Sequence, residues 1–228
     1  TVKSDSIAKI INLSKVVAPE LAQSEDVERS ALEIFAHAAW SGVGEPGDRM
    51  VRILCDALGV QNALVATISG ASPGELVAEI RAHASEVRHE FEGVTEADVS
   101  EALERWRPRL SEAEAIAHLQ RAQRIGAKLL TENSPVWPQA LGDLGQHRPT
   151  TLWYRGDGQA LARLQRSVAV VGARASTGYG EHVTMEVVSA LVDEGYCIVS
   201  GAAYGIDGMA HRAALARGGM TVAVLAGG

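Results

Sequence analysis

Apolar side chains return every three to four positions through most of the first 126 residues, the spacing of amphipathic helices. Residues 27–40 (VERSALEIFAHAAW) show it clearly. A Gly/Pro turn, SGVGEPGD, follows, and the next helix is expected from Asp48 to Leu58, stopped by Gly59. A third helix fits 61–68, and Pro73 with Glu75 opens a longer one running to Phe91, with Gly93 beyond it. Thr95 with Asp98, and Ser111 with Glu114, have the spacing of capping boxes. The last helix of the series should end at Ile125, where Gly126 supplies a C-terminal stop. Residues 25–126 therefore read as an all-helical domain. Residues 1–24 form a weakly patterned leader of unassigned role, with one short helix expected at 5–16.

The pattern then changes. In 127–156 short strand-like runs alternate with Pro, Gly and Asn. Trp137, Leu141, Leu144, Leu152, Trp153 and Tyr154 need burial, so an ordered connector with a strand or two is expected there. VAVVG (168–172) is a continuous β-branched run, as expected of a strand covered on both faces. Thr177–Glu194 has helical spacing, CIVSG (197–201) is a second strand, Ile206–Arg217 a second helix and MTVAVLAGG (220–228) a third strand. That βαβαβ order is half of a doubly wound parallel sheet. The fold class is therefore α/β, a Rossmann-like parallel sheet preceded by an all-helical domain. Such a sheet normally continues past its third strand, so 127–228 is expected to be a connector plus an incomplete domain.

Composition narrows the chemistry. Hydrophobic residues make up 46% of the chain and aromatics only 4%, so the cores must be aliphatic and alanine-rich. The net charge of −7 argues against a globally basic nucleic-acid binder. Residues 151–228 hold six Lys/Arg and six Asp/Glu, so the acidic excess lies entirely in 1–150. A polyanion would have to be held by a local site in the last third. Cys55 and Cys197 read as free buried thiols of a reducing compartment. No stretch reaches the ~18–20 apolar residues of a membrane span, and the run near Ile7–Leu13 holds Lys9, unlike a signal peptide. A cytoplasmic chain is expected.

The first strand-to-helix turn is VGARASTGYG. Gly172, Gly178 and Gly180 do not match G-x-G-x-x-G, so a dinucleotide fingerprint is excluded. What remains is a glycine-lined turn onto a helix N-terminus, whose free amides favour anions. Arg174 and Ser176 lie in it. Spacing alone does not decide whether Arg174 meets a phosphate or a nearby carboxylate. The second turn, SGAAYGIDGMAH, repeats the arrangement with Ser200, Gly201 and Gly205. Asp207 and His211 are spaced i, i+4, suited either to acid/base work or to capping and an orienting hydrogen bond. The other six histidines lack metal-ligand spacing, and neither a G-x-S-x-G elbow nor a P-loop is present. AWSGVGEPG has the look of a helix-hairpin-helix turn that would contact DNA phosphates, or of a plain helical hairpin.

Three segments together, VAVVGARASTGYG, GYCIVSGAAYGIDGMAHRAAL and GGMTVAVLAGG, resemble the core of the DNA-processing protein A (DprA, or Smf) family. SPVWPQALGDLGQHRPTTLWYRGD is similar to the segment that precedes that core, and residues 25–126 fit the family's variable SAM- or helix-hairpin-helix-like domain. The resemblance implies a non-enzymatic single-stranded-DNA-binding protein of natural transformation that protects incoming strands and helps load RecA. It further implies a homodimer formed through the Rossmann-like domain and no nucleotide cofactor. Carried over, Arg174 takes the place of the family's DNA-contacting arginine, with Gly172, Ala173, Ser176, Gly178, Gly180, Ser200, Gly201, Tyr204, Gly205, Asp207 and His211 around it. Ala173 stands where serine is commoner, and Tyr204 replaces a frequent arginine, removing a charge and adding a ring on which a base could stack. The rival is a nucleotide-phosphate hydrolase similar to the phosphoribohydrolases, with Asp207 and His211 as acid and base. A helical domain serving purely as an interaction module is the third option.

Overall fold

The computed structural model describes residues 4–19, 25–87, 91 and 93–225, which divide into two units. The first comprises 1–134 and 141–155, the second 135–140 and 156–228. The connector expected over 127–156 is thus shared between them. Its two strands, β1 (Lys128–Thr131) and β2 (Thr151–Tyr154), pair antiparallel within the first unit, Leu129 opposite Trp153 and Leu130 opposite Leu152. Trp137 is buried and Leu141, Leu152, Trp153 and Tyr154 half-buried, but Leu144 is exposed, because the 3-10 segment Gln139–His147 buries none of its residues.

The helices of the first unit are α1 (Ser4–Val17), α2 (Val27–Val43), α3 (Arg49–Leu58), α4 (Val60–Ile68), α5 (Pro73–Val87), α6 (Glu96–Trp106) and α7 (Glu112–Ile125). Their ends follow the capping chemistry of the sequence. Thr95 and Asp98 form a full capping box on α6, Ser111 accepts the Glu114 amide on α7, and Gly126 closes α7 at a φ of 68°. The expected extension of α5 to Phe91 falls on 88–90, outside the described residues. The core is mostly aliphatic, its aromatic residues being Phe35, Phe91 and an edge-to-face pair, Trp40 on Trp106, with ring centroids 5.2 Å apart. His37 is buried beside β2, its Nδ1 2.7 Å from Thr151 Oγ1, and burial lowers its pKa to about 4.

The second unit begins with a single turn, α8 (Gln159–Ala162), and then a three-stranded parallel sheet in the order β3 (Ser167–Ala169), β4 (Cys197–Ser200), β5 (Thr221–Ala223). Helices α9 (Gly178–Asp193) and α10 (Ile206–Ala216) are the crossovers. Strand order advances in one direction, so two right-handed crossovers lie on the same face of the sheet. They pack on one another and on β4, around Val188, Ile198, Ala210, Ala213 and Ala214. The expectation of a strand buried on both faces is therefore corrected. Val168 and Val170 are half-buried, whereas Ala169 and Val171 alternate outward, Val171 being 73% exposed. The three strands are also shorter than their apolar runs; 226–228, expected in the third, lie outside the described residues.

Candidate nucleic-acid interface

Both turns expected to hold phosphate lie at the carboxyl ends of parallel strands, β3 to α9 and β4 to α10, and the structure locks them together. Asp207, buried in the first turn of α10, carries most of that linkage. Its Oδ1 accepts the Gly172 amide at 3.2 Å and its Oδ2 the Ala203 amide at 3.4 Å. The Ile206 amide donates to the Ala173 carbonyl at 3.2 Å, and Gly208 to Ala203 at 3.0 Å. Glycines allow the close approach at the points of contact. A Cβ on Gly201 would lie 3.1 Å from the Asp207 carboxylate, and one on Gly172 2.7 Å from Ile206. Gly205, at a φ of 80°, sits directly against the backbone carbonyls of Ala173 and Arg174. Ala202 adopts a φ of 55°, a conformation that costs a non-glycine residue on the order of 1–2 kcal/mol.

Several of the expected contact residues therefore belong to the framework. The Ser200 hydroxyl is buried and donates to the Val170 carbonyl at 2.7 Å. Asp207 does not hydrogen-bond His211. Thr221 donates its only hydroxyl proton to the Ile198 carbonyl, so it accepts from His211 Nδ1, 2.7 Å away. That leaves His211 Nε2 as a lone pair without a partner among the described residues and shielded from solvent. Burial lowers the His211 pKa, against the opposing charge of Asp207. No acid/base pair results, and among the described residues no three His, Cys, Asp or Glu side chains converge as metal ligands.

What faces outward is the rim. Thr177 caps the Gly180 amide at 3.1 Å, which leaves the amides of Gly178 and Tyr179 at the start of α9 open to an anion. Ser176 is turned to Glu181, its hydroxyl 2.7 Å from the carboxylate. Arg174 is exposed and makes no ion pair among the described residues, which removes the carboxylate reading of that residue. Tyr204 stands on the second turn with 88% of its surface exposed. Tyr179, which sequence reasoning passed over as an ordinary helix residue, is likewise exposed. The start of α10 contributes less than the sequence implies, because its amides at 206 and 208 are already bonded to the two turns.

The hairpin SGVGEPGD is capped from within. The Asp48 carboxylate accepts the Met50 and Val51 amides at the start of α3, as well as Arg105 and Trp106 side chains. The N-terminus of α3 is thus capped by the protein's own carboxylate, which favours the plain helical hairpin of the two readings of this turn.

A family comparison bears on the second unit and on the β1–β2 segment of the first. The family model of DNA recombination-mediator protein A matches residues 128–228. That stretch of the chain is similar to the DprA family. A Mycobacterium tuberculosis protein (strain H37Rv) named for DprA is 43% identical over 120 residues, 48% of this chain and 31% of its own length. The DNA processing protein DprA of Bacillus subtilis is 37% identical over 94 residues, covering 41% and 30% of the two chains. The match thus spans under a third of these relatives. The solved structure of DprA from Streptococcus pneumoniae has the same fold, with a TM-score of 0.51 at 24% identity over 85% of this chain and 56% of that one. The matched stretch holds the glycine turns, Arg174 and Tyr204. No single described helix is long and apolar enough to cross a membrane.

Proposed function

We propose that the chain is a non-enzymatic single-stranded-DNA-binding module of DNA processing in transformation and recombination. The observation that carries this is Arg174, exposed and without an ion-pair partner among the described residues, on a turn fixed by Asp207 and Gly205 beside an exposed tyrosine. The arginine fork suits phosphate oxygens, and the open Gly178 and Tyr179 amides add donors. Tyr204 offers a stacking face to an unpaired base, which a duplex would keep in its own stack. A near-neutral unit favours a local grip on one strand over a broad duplex-binding face. The match of residues 128–228 to the DprA family model supports the biological setting, a cytoplasmic protein that acts as a homodimer and delivers the strand to RecA.

Fluorescence anisotropy with labelled oligonucleotides tests the reading. Binding should be independent of sequence, weaken as salt rises, and fall about tenfold or more in Arg174→Ala, the worth of one charge-assisted contact. Turnover of nucleotide phosphates without oligonucleotide binding would establish the hydrolase instead. Co-filtration with RecA and sedimentation equilibrium test the partner and the dimer.

A further inference from the structure

We propose that Arg212 is a second phosphate-holding cation of this site, an inference that rests on the DNA-binding reading above. The second unit has five arginines in its main segment, 156–228. Arg217 is paired with Asp193, and Arg166 stacks on Tyr196 while donating to the Glu194 carbonyl. Arg163 precedes β3 and so lies towards the opposite end of the sheet from the turns. That leaves Arg174 and Arg212.

Arg212 lies seven residues into α10, but helical side chains lean back towards the N-terminus. Here the lean brings the guanidinium to the first turn. Its Nη1 is 3.7 Å from the point where a Cβ on Gly208 would stand, and the Ala203 carbonyl is 3.2 Å from the same point. The guanidinium therefore lies beside the Ala203 end of the turn, while the Arg174 backbone lies against the Gly205 end. Tyr204, exposed, sits in the chain between them. Arg212 is exposed, and no carboxylate lies within 4.0 Å of it among the described residues. Its nearest acidic neighbour on the helix, Asp207, is buried and bonded to the Gly172 and Ala203 amides. Two exposed arginines without ion-pair partners among the described residues, one rooted at each end of a turn that carries an exposed ring, match a strand that alternates phosphate and base. The site would thus grip two phosphates and stack the base between.

The slope of log affinity against log salt counts phosphate contacts, at about 0.7 per phosphate for single strands. Titrations of a fluorescein-labelled oligothymidylate, run at a series of potassium chloride concentrations, should show Arg212→Ala weakening binding roughly three- to tenfold and reducing the slope by about 0.7. Arg212→Lys should restore the slope and only part of the affinity, because it keeps the charge and loses the fork. The double variant with Arg174→Ala should lose about 1.4 from the slope. An unchanged slope in Arg212→Ala overturns the inference, whether or not affinity falls, while leaving Arg174 as the site. A wild-type chain that binds no oligonucleotide overturns the reading beneath it and the inference together.

Discussion

Arg52→Ala is expected to destabilise the first unit by about 3 kcal/mol, and to lower its unfolding midpoint without changing oligonucleotide binding. Arg52 is only 5% exposed. From α3 it donates to Asp56 at 2.8 Å and to Glu132, just after β1, at 2.6 and 3.0 Å. Arg148 closes the cluster, reaching Asp56 at 3.0 Å and Glu132 at 3.1 Å. Burial alone would raise the Glu132 carboxyl pKa, and the hydrogen bonds and charges of Arg52 and Arg148 outweigh it and hold it below the ordinary value. Removing one member of a buried ion pair leaves desolvated charge behind, a loss of about 3–5 kcal/mol. Arg148 continues to neutralise part of that charge, and the Glu132 side chain is 38% exposed and so partly screened by water, which together place the effect at the lower end. Replacing both ends, as in Arg52→Met with Glu132→Leu, should recover much of the loss, because an apolar contact needs no desolvation. Denaturant unfolding of the three proteins decides it. A single variant as stable as wild type would show the cluster to be solvated in solution.

Gly205→Ala should abolish most of the binding, lowering oligonucleotide affinity by more than about tenfold, equivalent to about 1.4 kcal/mol. Two effects combine at this position. A φ of 80° with ψ of −128° is a backbone conformation that side-chain-bearing residues rarely hold. The added methyl would also overlap backbone carbonyls of Ala173 and Arg174, which have no flexible end to move aside. The turn must open, and Arg174 and Tyr204 lose their common frame. Gly142→Ala, away from the site, is the control, because nothing lies within 4 Å of its Cβ position and its φ is not in the left-handed region. Its affinity should stay within about threefold of wild type, as for an ordinary exposed substitution. If both variants bind equally well, the contact between the two turns is dispensable for binding.

Much of the architecture was legible because it rests on local rules. Helix ends at Thr95, Ser111 and Gly126 follow from side chains within three or four residues of the terminus they cap. The βαβαβ order follows from the change of hydrophobic period near 168. Features that depend on long-range contact were not legible. Glu132 meets Arg52 across 80 positions, and Arg148 meets Asp56 across 92, so the cluster carries no spacing signature. The outward face of Ala169 and Val171 follows from which side the helices take, which a continuous apolar run does not encode. Within the site, the glycines and Arg174 were recognisable as a turn, but the direction of each polar side chain was not. Ser200, Asp207 and His211 resemble ligands in sequence, and their hydrogen bonds turn them inward. Arg212 resembles an ordinary helix arginine, and only its fold back over Gly208 brings it to the rim. The GEPGD turn is the converse case, where a motif that suggests phosphate contact is filled by Asp48.

The central claim is that a DNA strand is held at the carboxyl end of the small parallel sheet. Amide NMR of the 228-residue chain, titrated with oligothymidylate, tests it most directly. Shifts should concentrate at Gly172–Gly180, Gly201–Gly205 and Arg212, with the first unit unchanged. Shifts confined to the first unit, around Gly44–Asp48 for example, would contradict it and move the interface to the helical hairpin.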